Sequence, residues 1–291
     1  MNNMGIFSDV LLTVDFDRTL TAPDSSIPER NLEAIRYFIE NGGAFTVNSG
    51  RSLPMTEWFR DAVPVNVPLL LYNGSAAYDT VTGKLVNCKC IDLDPRQVLT
   101  DIQNRFPEMI VEVQGTDAHY LFRHNARWER YCSNNLCAWK YADAGNIPGP
   151  FLKFTLYGQF RDITVASMYE ATEEELAYYA QAVDYIAQHY GDKLEIFRPT
   201  ARIIDIQTKG VSKIRIARDL QAQLGRKILV CVGDAENDLP MLEGADYAFC
   251  PCDGVVANRF PNVCACGDGA IADVIYKKIP EILALQLDRT E

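Results

Sequence analysis

The chain has 291 residues, 48% of them hydrophobic and 23% charged, a globular composition that excludes disorder, collagen-like repeats and a long coiled coil. Twenty-eight Lys and Arg against 39 Asp and Glu leave a net charge of −11. That balance opposes nucleic acid and anionic lipid as partners and requires any anionic ligand to be met by a local cluster of donors.

The length suits about two domains. Val10 to Val14 is an apolar run ending in a polar turn, which reads as a buried strand. Pro28 opens an amphipathic helix to about Asn41, closed by Gly42 and Gly43. Ala44 to Val47 reads as a second strand, ending at Asn48, Ser49, Gly50 and Arg51. A helical stretch to about Ala62 and a third strand from Val67 to Tyr72 follow, ending at Asn73 and Gly74. Three such strands in series predict a parallel, doubly wound α/β sheet.

From about Gly83 to Arg198 the pattern changes to strand, helix, two strands, helix (Arg127 to Asn135), a Gly- and Pro-rich loop, strand, a long helix (Glu173 to Tyr190) and strand. Strands without intervening helices imply hairpins, hence an antiparallel α+β insert. The opening alternation is expected to resume at the Arg202 to Ile206 strand and to continue through helix Lys213 to Leu224, strand Ile228 to Val232, strand Asp246 to Phe249 and a last helix, Ala270 to Lys278. The expected division is a core of residues 1–82 and 198–291 interrupted by an insert of residues 83–197.

Open α/β sheets place ligands at the carboxyl ends of their strands. There the chain carries Asp15 and Asp17, then Ser49, then Gly233, Asp234, Asn237 and Asp238. Carboxylates converging on one crevice repel, so the arrangement makes most sense around a hard divalent cation such as Mg²⁺. Lys213 at a helix start, and the Ser49 hydroxyl beside amides expected to be free, would add donors for a phosphate.

These residues resemble, in order, the four motifs of the haloacid dehalogenase superfamily of phosphotransferases: Asp15-Phe16-Asp17-Arg18-Thr19-Leu20, Ser49-Gly50-Arg51, Lys213 after Gly210-Val211-Ser212, and Gly233-Asp234-Ala235-Glu236-Asn237-Asp238. The Tyr72-Asn73-Gly74 turn and the placement of the insert resemble its Cof-type branch of sugar-phosphate phosphatases. The resemblance implies a Rossmann-like core with the insert as a cap that reads the leaving group, and a Mg²⁺-dependent phosphomonoesterase acting on small phosphorylated metabolites. It implies Asp15 as nucleophile, forming an aspartyl phosphate, and Asp17 as general acid and base. Asp15, Asp17, Asp234 and Asp238 would form the metal site, Asp238 by orienting a metal-bound water or Lys213. Phe16, Ser49, Gly50, Arg51, Asn73, Lys213 and Asn237 would contact substrate. Ser49 keeps the hydroxyl of a more usual Thr, Asn48 replaces a commonly small residue, and Arg18 stands where a small residue or Gly is common. A phosphomutase with the same residues, and a non-catalytic phospho-ligand sensor, are the alternative readings.

Nothing else carries comparable chemistry. No apolar run approaches the roughly 20 residues of a membrane span, and Met1 to Asp9 has no signal-like pattern. The nine cysteines read as reduced thiols of a cytoplasmic protein, a monomer or weak homodimer. The pairs Cys88/Cys90, Cys250/Cys252 and Cys264/Cys266 are too closely spaced for structural zinc and read as incidental or core thiols. His119, His124 and His189 lack ligand spacing, and Arg123, Arg127, Arg130 and Lys140 read as surface charge.

Overall fold

The structure is a computed structural model that describes residues 5–134, 137–158 and 170–287. The chain divides into two compact units, one of residues 1–50, 59–86 and 212–291, the other of residues 51–58 and 87–211. The first has strands on either side of the sequence of the second, so the α/β core is interrupted by an α+β insert.

In the first unit, β1 (Val10–Val14) is buried along its whole length. It pairs in parallel with β2 (Ala44–Val47) on one side and with β12 (Ile228–Val232) on the other. With β13 (Tyr247–Pro251) and β14 (Asn262–Val263) the order is β14-β13-β12-β1-β2. A central parallel strand is covered on both faces, which is why all five residues from Val10 to Val14 can be uncharged and sealed from water. Leu11, Leu229 and Cys231 pack against Ile216, Ala217 and Leu220 of helix Lys213–Leu224. Helix α1 (Glu29–Glu40) buries Ala34, Ile35 and Phe38 and stops where Gly42 takes φ +89°, a conformation natural to glycine after a helix.

Two expected elements differ. The third strand, β3 (Leu69–Leu71), does not extend the parallel ladder. It joins β4 (Ala76–Asp79) and β5 (Lys84–Val86) in an antiparallel sheet and touches the parallel one through a single bridge, Asn48 to Leu70. The turn at Tyr72-Asn73-Gly74, with φ of +53°, +50° and +101°, reverses the chain too sharply for a crossover. The stretch before Ala62 has only the short turn Pro54–Thr56 in place of the expected helix. Its Thr, Trp and Phe residues lose side-chain freedom in a helix.

In the second unit the sheet order is β10-β11-β9-β6-β7-β8, drawn from β6 (Met109–Gln114), β7 (His119–Leu121), β8 (Trp139–Tyr141), β9 (Phe154–Gly158), β10 (Leu194–Thr200) and β11 (Ile203–Thr208). All pairings are antiparallel except β7 with β8. The strand expected to resume the core at Arg202 is thus β11, held in this sheet because a tight hairpin joins it to β10. One face, with Val111, Val113, Phe154, Leu156, Ile204 and Ile206, packs on helices Pro95–Arg105 and Glu173–Tyr190. The period of two then puts Glu112, Gln114, Thr155, Asp205 and Gln207 on the other face, where all are buried. Helix Ala126–Asn134 accounts for the expected one at Arg127, and Asn135 lies outside the described residues. Helix Glu173–Tyr190 opens with a reciprocal cap, in which Thr172 Oγ1 accepts from the Glu175 amide and Glu175 Oε2 from the Thr172 amide. Among the described residues no helix is long and apolar enough to cross a membrane.

Candidate active site

The site forms where β1, β2 and β12 end. The Asp15 amide still donates to Val232 O, 2.8 Å away, so the nucleophile candidate is the last residue held by the sheet. The chain then tightens into a turn, Phe16–Leu20, in which Arg18 has φ +59°. That left-handed conformation costs a residue with a side chain about 1–2 kcal/mol, which accounts physically for a small residue or Gly being common there. Thr21 holds the turn closed, its amide and hydroxyl both donating to Phe16 O. The Phe16 ring stacks on Phe59 with centroids 3.8 Å apart, forming an apolar wall.

From β12 the chain passes through Gly233 to Asp234. A Cβ on Gly233 would fall 2.7 Å from the Asp238 carboxyl carbon, so only glycine lets this loop fold over the Asp238 side chain. Asp238 Oδ2 accepts from the Asp234 and Ala235 amides, and its Oδ1 from Lys213 Nζ at 2.6 Å. Lys213, the first residue of its helix, reaches Asp15 Oδ1 as well, at 2.5 Å. Thr19 Oγ1 donates to Asp234 Oδ1. Oxygens of Asp15, Asp234 and Asp238 all lie within 4.8 Å of one another, and all three residues are buried.

Three buried carboxylates against one ammonium leave the cluster short of positive charge. Burial pushes the Asp15 carboxyl well above the ordinary carboxylate value, and the Asp238 charge pushes it further against the pull of Lys213. Burial and Asp238 likewise push Asp234 up to about 7. Burial alone would lower the Lys213 pKa, but Asp15 and Asp238 outweigh it and hold the ammonium above its usual value. Asp15 Oδ2 and Asp234 Oδ2 take part in none of these bonds. An oxygen-only donor set with excess negative charge and two uncommitted carboxylate oxygens fits a hard divalent cation.

Of the remaining expected residues, Asp17 is half-buried in the turn after Asp15, and Asn237 is half-buried in the turn Glu236–Asp238. Ser49 is buried at the end of β2, but its amide donates to Leu70 O and no helix starts there. The helix start expected to offer amides beside the Ser49 hydroxyl does not form, and β3, passing alongside, takes the Ser49 amide itself. Asn73 is buried beside Gly50, where any added Cβ would meet its Oδ1 at 2.6 Å. Arg51 groups with the second unit and stands over the Trp58 ring there at 5.9 Å.

Three further residues shape the site, none of them among the residues expected to contact metal or substrate. Thr19 bonds Asp234, Asn48 Nδ2 holds the Lys213 carbonyl at 2.9 Å, and Gly74 allows the Ser212 carbonyl to approach. The only signal for Asn48 was a polar residue closing an apolar strand.

An α/β parallel-sheet core with an α+β insert, and carboxylates and a lysine gathered at its strand ends, defines the class of protein as an enzyme of hydrolase type. The chain belongs to the haloacid dehalogenase-like hydrolase family, whose model matches residues 12–254. It is 24% identical over 288 residues to an uncharacterized hydrolase of Schizosaccharomyces pombe, covering 92% of this chain and 90% of that protein. It is 23% identical over 238 residues to the 5-amino-6-(5-phospho-D-ribitylamino)uracil phosphatase YcsE of Bacillus subtilis, covering 81% and 80%. A haloacid dehalogenase-like hydrolase from Bacteroides thetaiotaomicron has the same fold, with a TM-score of 0.77 at 15% identity over 92% of this chain and 98% of that one.

Proposed function

We propose that this hydrolase is a Mg²⁺-dependent phosphatase of small phosphorylated metabolites, sugar and sugar-alcohol phosphates first, working through an aspartyl phosphate on Asp15. The observation that carries the reading is the placement of Asp15: buried, bonded to Lys213, and still with one carboxylate oxygen uncommitted beside Asp234. Asp15 and Asp234, with the Asp17 carbonyl, would hold the metal, and Asp238 would keep Lys213 and the 234–235 loop in position. Bound Mg²⁺ supplies charge neutralisation for the carboxylates and the phosphoryl oxygens.

In the first step an Asp15 oxygen attacks phosphorus in line, and the bond to the leaving oxygen breaks as Asp17 gives that oxygen a proton. Lys213 carries positive charge toward the transferring group, while the Ser49 hydroxyl and Asn237 amide donate to its oxygens. In the second step Asp17 takes a proton from water. The resulting oxygen attacks phosphorus, the Asp15–phosphoryl bond breaks, and phosphate leaves with Asp15 restored. A bound cation would keep Asp15 ionised against the burial and the Asp238 charge that raise its pKa, which leaves Asp17, half-buried in the turn, to carry the proton. The phosphorylated ribityl chain named for the Bacillus subtilis relative supports a polyhydroxylated leaving group.

The test is trapping. With Mg²⁺ and an activated aryl phosphate, Asp17→Asn should gain one phosphoryl group by mass and stall, and Asp15→Asn should gain none. A label on another residue, or undiminished hydrolysis by Asp15→Asn, would overturn the mechanism. A panel of phosphorylated metabolites, with Mg²⁺ and with excess chelator, tests the substrate class.

A further inference from the structure

The second unit holds a buried cluster of donors for which the proposed reaction has no use. Glu112 on β6, His119 on β7 and Cys132 on helix Ala126–Asn134 offer an oxygen, a nitrogen and a sulfur within 4.8 Å of one another. Gln114 pairs directly with His119 across the two strands, so Glu112, two residues along, shares the His119 face. Their exposures are 0%, 3% and 1%.

The polar bookkeeping of this cluster does not close within the protein. Glu112 Oε1 comes 2.7 Å from His119 Nδ1, yet neither Glu112 oxygen completes a hydrogen bond with any partner. The far nitrogen, Nε2, is engaged at 2.7 Å by Ser52 Oγ, a residue of the same unit. If that hydroxyl accepts, the Nδ1 lone pair faces a carboxylate, and two acceptors so placed need a cation between them. Glu112 Oε2 in particular is sealed from water with no partner, which is costly, and natural proteins answer such a group with pairing or a metal.

A second thiol, that of Cys137, lies outside this group of three and donates to Ala138 O at 3.5 Å in the metal-free chain. Cys137 is buried, its amide donates to Cys132 O at 2.9 Å, and four residues separate the two cysteines, within the usual spacing for a structural zinc pair. An O, N, S donor set is wrong for Mg²⁺ and right for Zn²⁺.

We propose that Glu112, His119 and Cys132 hold a structural zinc ion inside the inserted unit, with Cys137 turning from Ala138 O to become the fourth ligand and Ser52 orienting the histidine from outside. The site ties β6, β7 and the end of the helix to one ion. On binding, both thiols give up their protons to solvent and become thiolates, His119 coordinates as neutral imidazole, and Glu112 stays ionised. Burial and the Glu112 charge raise both thiol pKa values in the metal-free chain, so the ion supplies what makes the thiolates stable. Ser52 completes the arrangement as the outer partner that metal-bound histidines ordinarily have.

The experiment is metal analysis of the full-length protein, expressed with zinc and dialysed against Mg²⁺ buffer, followed by Co²⁺ replacement. The expected result is about one zinc per chain and thiolate-to-cobalt charge-transfer absorption in the Co²⁺ form. Cys132→Ser and Cys137→Ser should each cut bound zinc about tenfold or more, and Asp234→Asn should retain it in full. If a cysteine variant does not fold, the cobalt spectrum of the unaltered chain decides alone. A chain that holds no zinc and shows no thiolate absorption with Co²⁺ overturns the site, as does zinc lost in Asp234→Asn and kept in both cysteine variants.

Discussion

Lys213 Nζ and Asp15 Oδ1 lie 2.5 Å apart although 198 positions of sequence separate them. The lysine also bonds Asp238 and is itself 3% exposed, and among the described residues it is the only cation paired with these two carboxylates. Charge at the transferring phosphoryl group is common to every substrate. Lys213→Met should therefore lower turnover about 100- to 1,000-fold by similar factors on substrates with unlike leaving groups. Loss of one partner from a buried ion pair should also lower stability by about 3–5 kcal/mol. Steady-state rates on two chemically distinct phosphates, with urea melts alongside, check both halves, and a variant near the unaltered rate on either substrate contradicts the assignment.

Removing the metal should have a pH-dependent cost. Asp234 is pushed up to about 7 from an ordinary 3.8, so the metal-free folded chain binds a proton there that the unfolded chain has released. Between those values the folded state holds more protons, and stability falls as pH rises. A divalent cation replaces that proton. The rise in Tm on adding Mg²⁺ should thus be larger at pH 8 than at pH 5, and should shrink in Asp234→Asn. Equal shifts at both pH values count against Asp234 as a ligand.

Gly74 ties backbone shape to catalysis. It has φ +101°, and a Cβ there would meet the Ser212 carbonyl oxygen at 2.3 Å and the Lys213 amide at 3.3 Å. Gly74→Ala should cost about 1–3 kcal/mol and displace the first turn of the Lys213 helix, lowering kcat more than it raises KM. Gly225 also has positive φ but open space around it. Gly225→Ala should lose stability and keep kcat, which separates local strain from displacement of Lys213.

Asp246 supports the Lys213–Leu224 helix through Arg218. Burial alone would raise its carboxyl, but bonds from Arg218 and the Leu229 amide hold it below the ordinary value. Its contribution is present above pH 3.8 and disappears as pH falls through the lower folded value. With both side chains about one-third exposed, solvent screens the pair, and Asp246→Asn should cost about 1 kcal/mol near neutrality. Urea melts at pH 7 and pH 3 should show that difference narrowing in acid; a constant difference would assign the effect to packing.

By itself the sequence determined the central parallel strands and the acidic residues that follow them. Val10–Val14, Ala44–Val47 and Ile228–Val232 are legible because central parallel strands must be apolar on both faces. Asp15, Asp17, Asp234 and Asp238 are legible as a set, because two acidic segments each follow an apolar strand, whereas either segment alone would pass for a strand-end turn or a helix cap. Tertiary structure alone decided which oxygens stay uncommitted. Asp238 spends both of its oxygens on Lys213 and two amides, and the Ser49 amide goes to Leu70 O, since neighbours distant in sequence compete for the same bonds. It also decided that β11 pairs inside the insert, where ladder partners outweigh its core-like composition. The Glu112, His119 and Cys132 cluster lay hidden for the same reason. Its donors come from two strands and a helix, and no local spacing records a meeting that only the antiparallel register of β6 and β7 brings about.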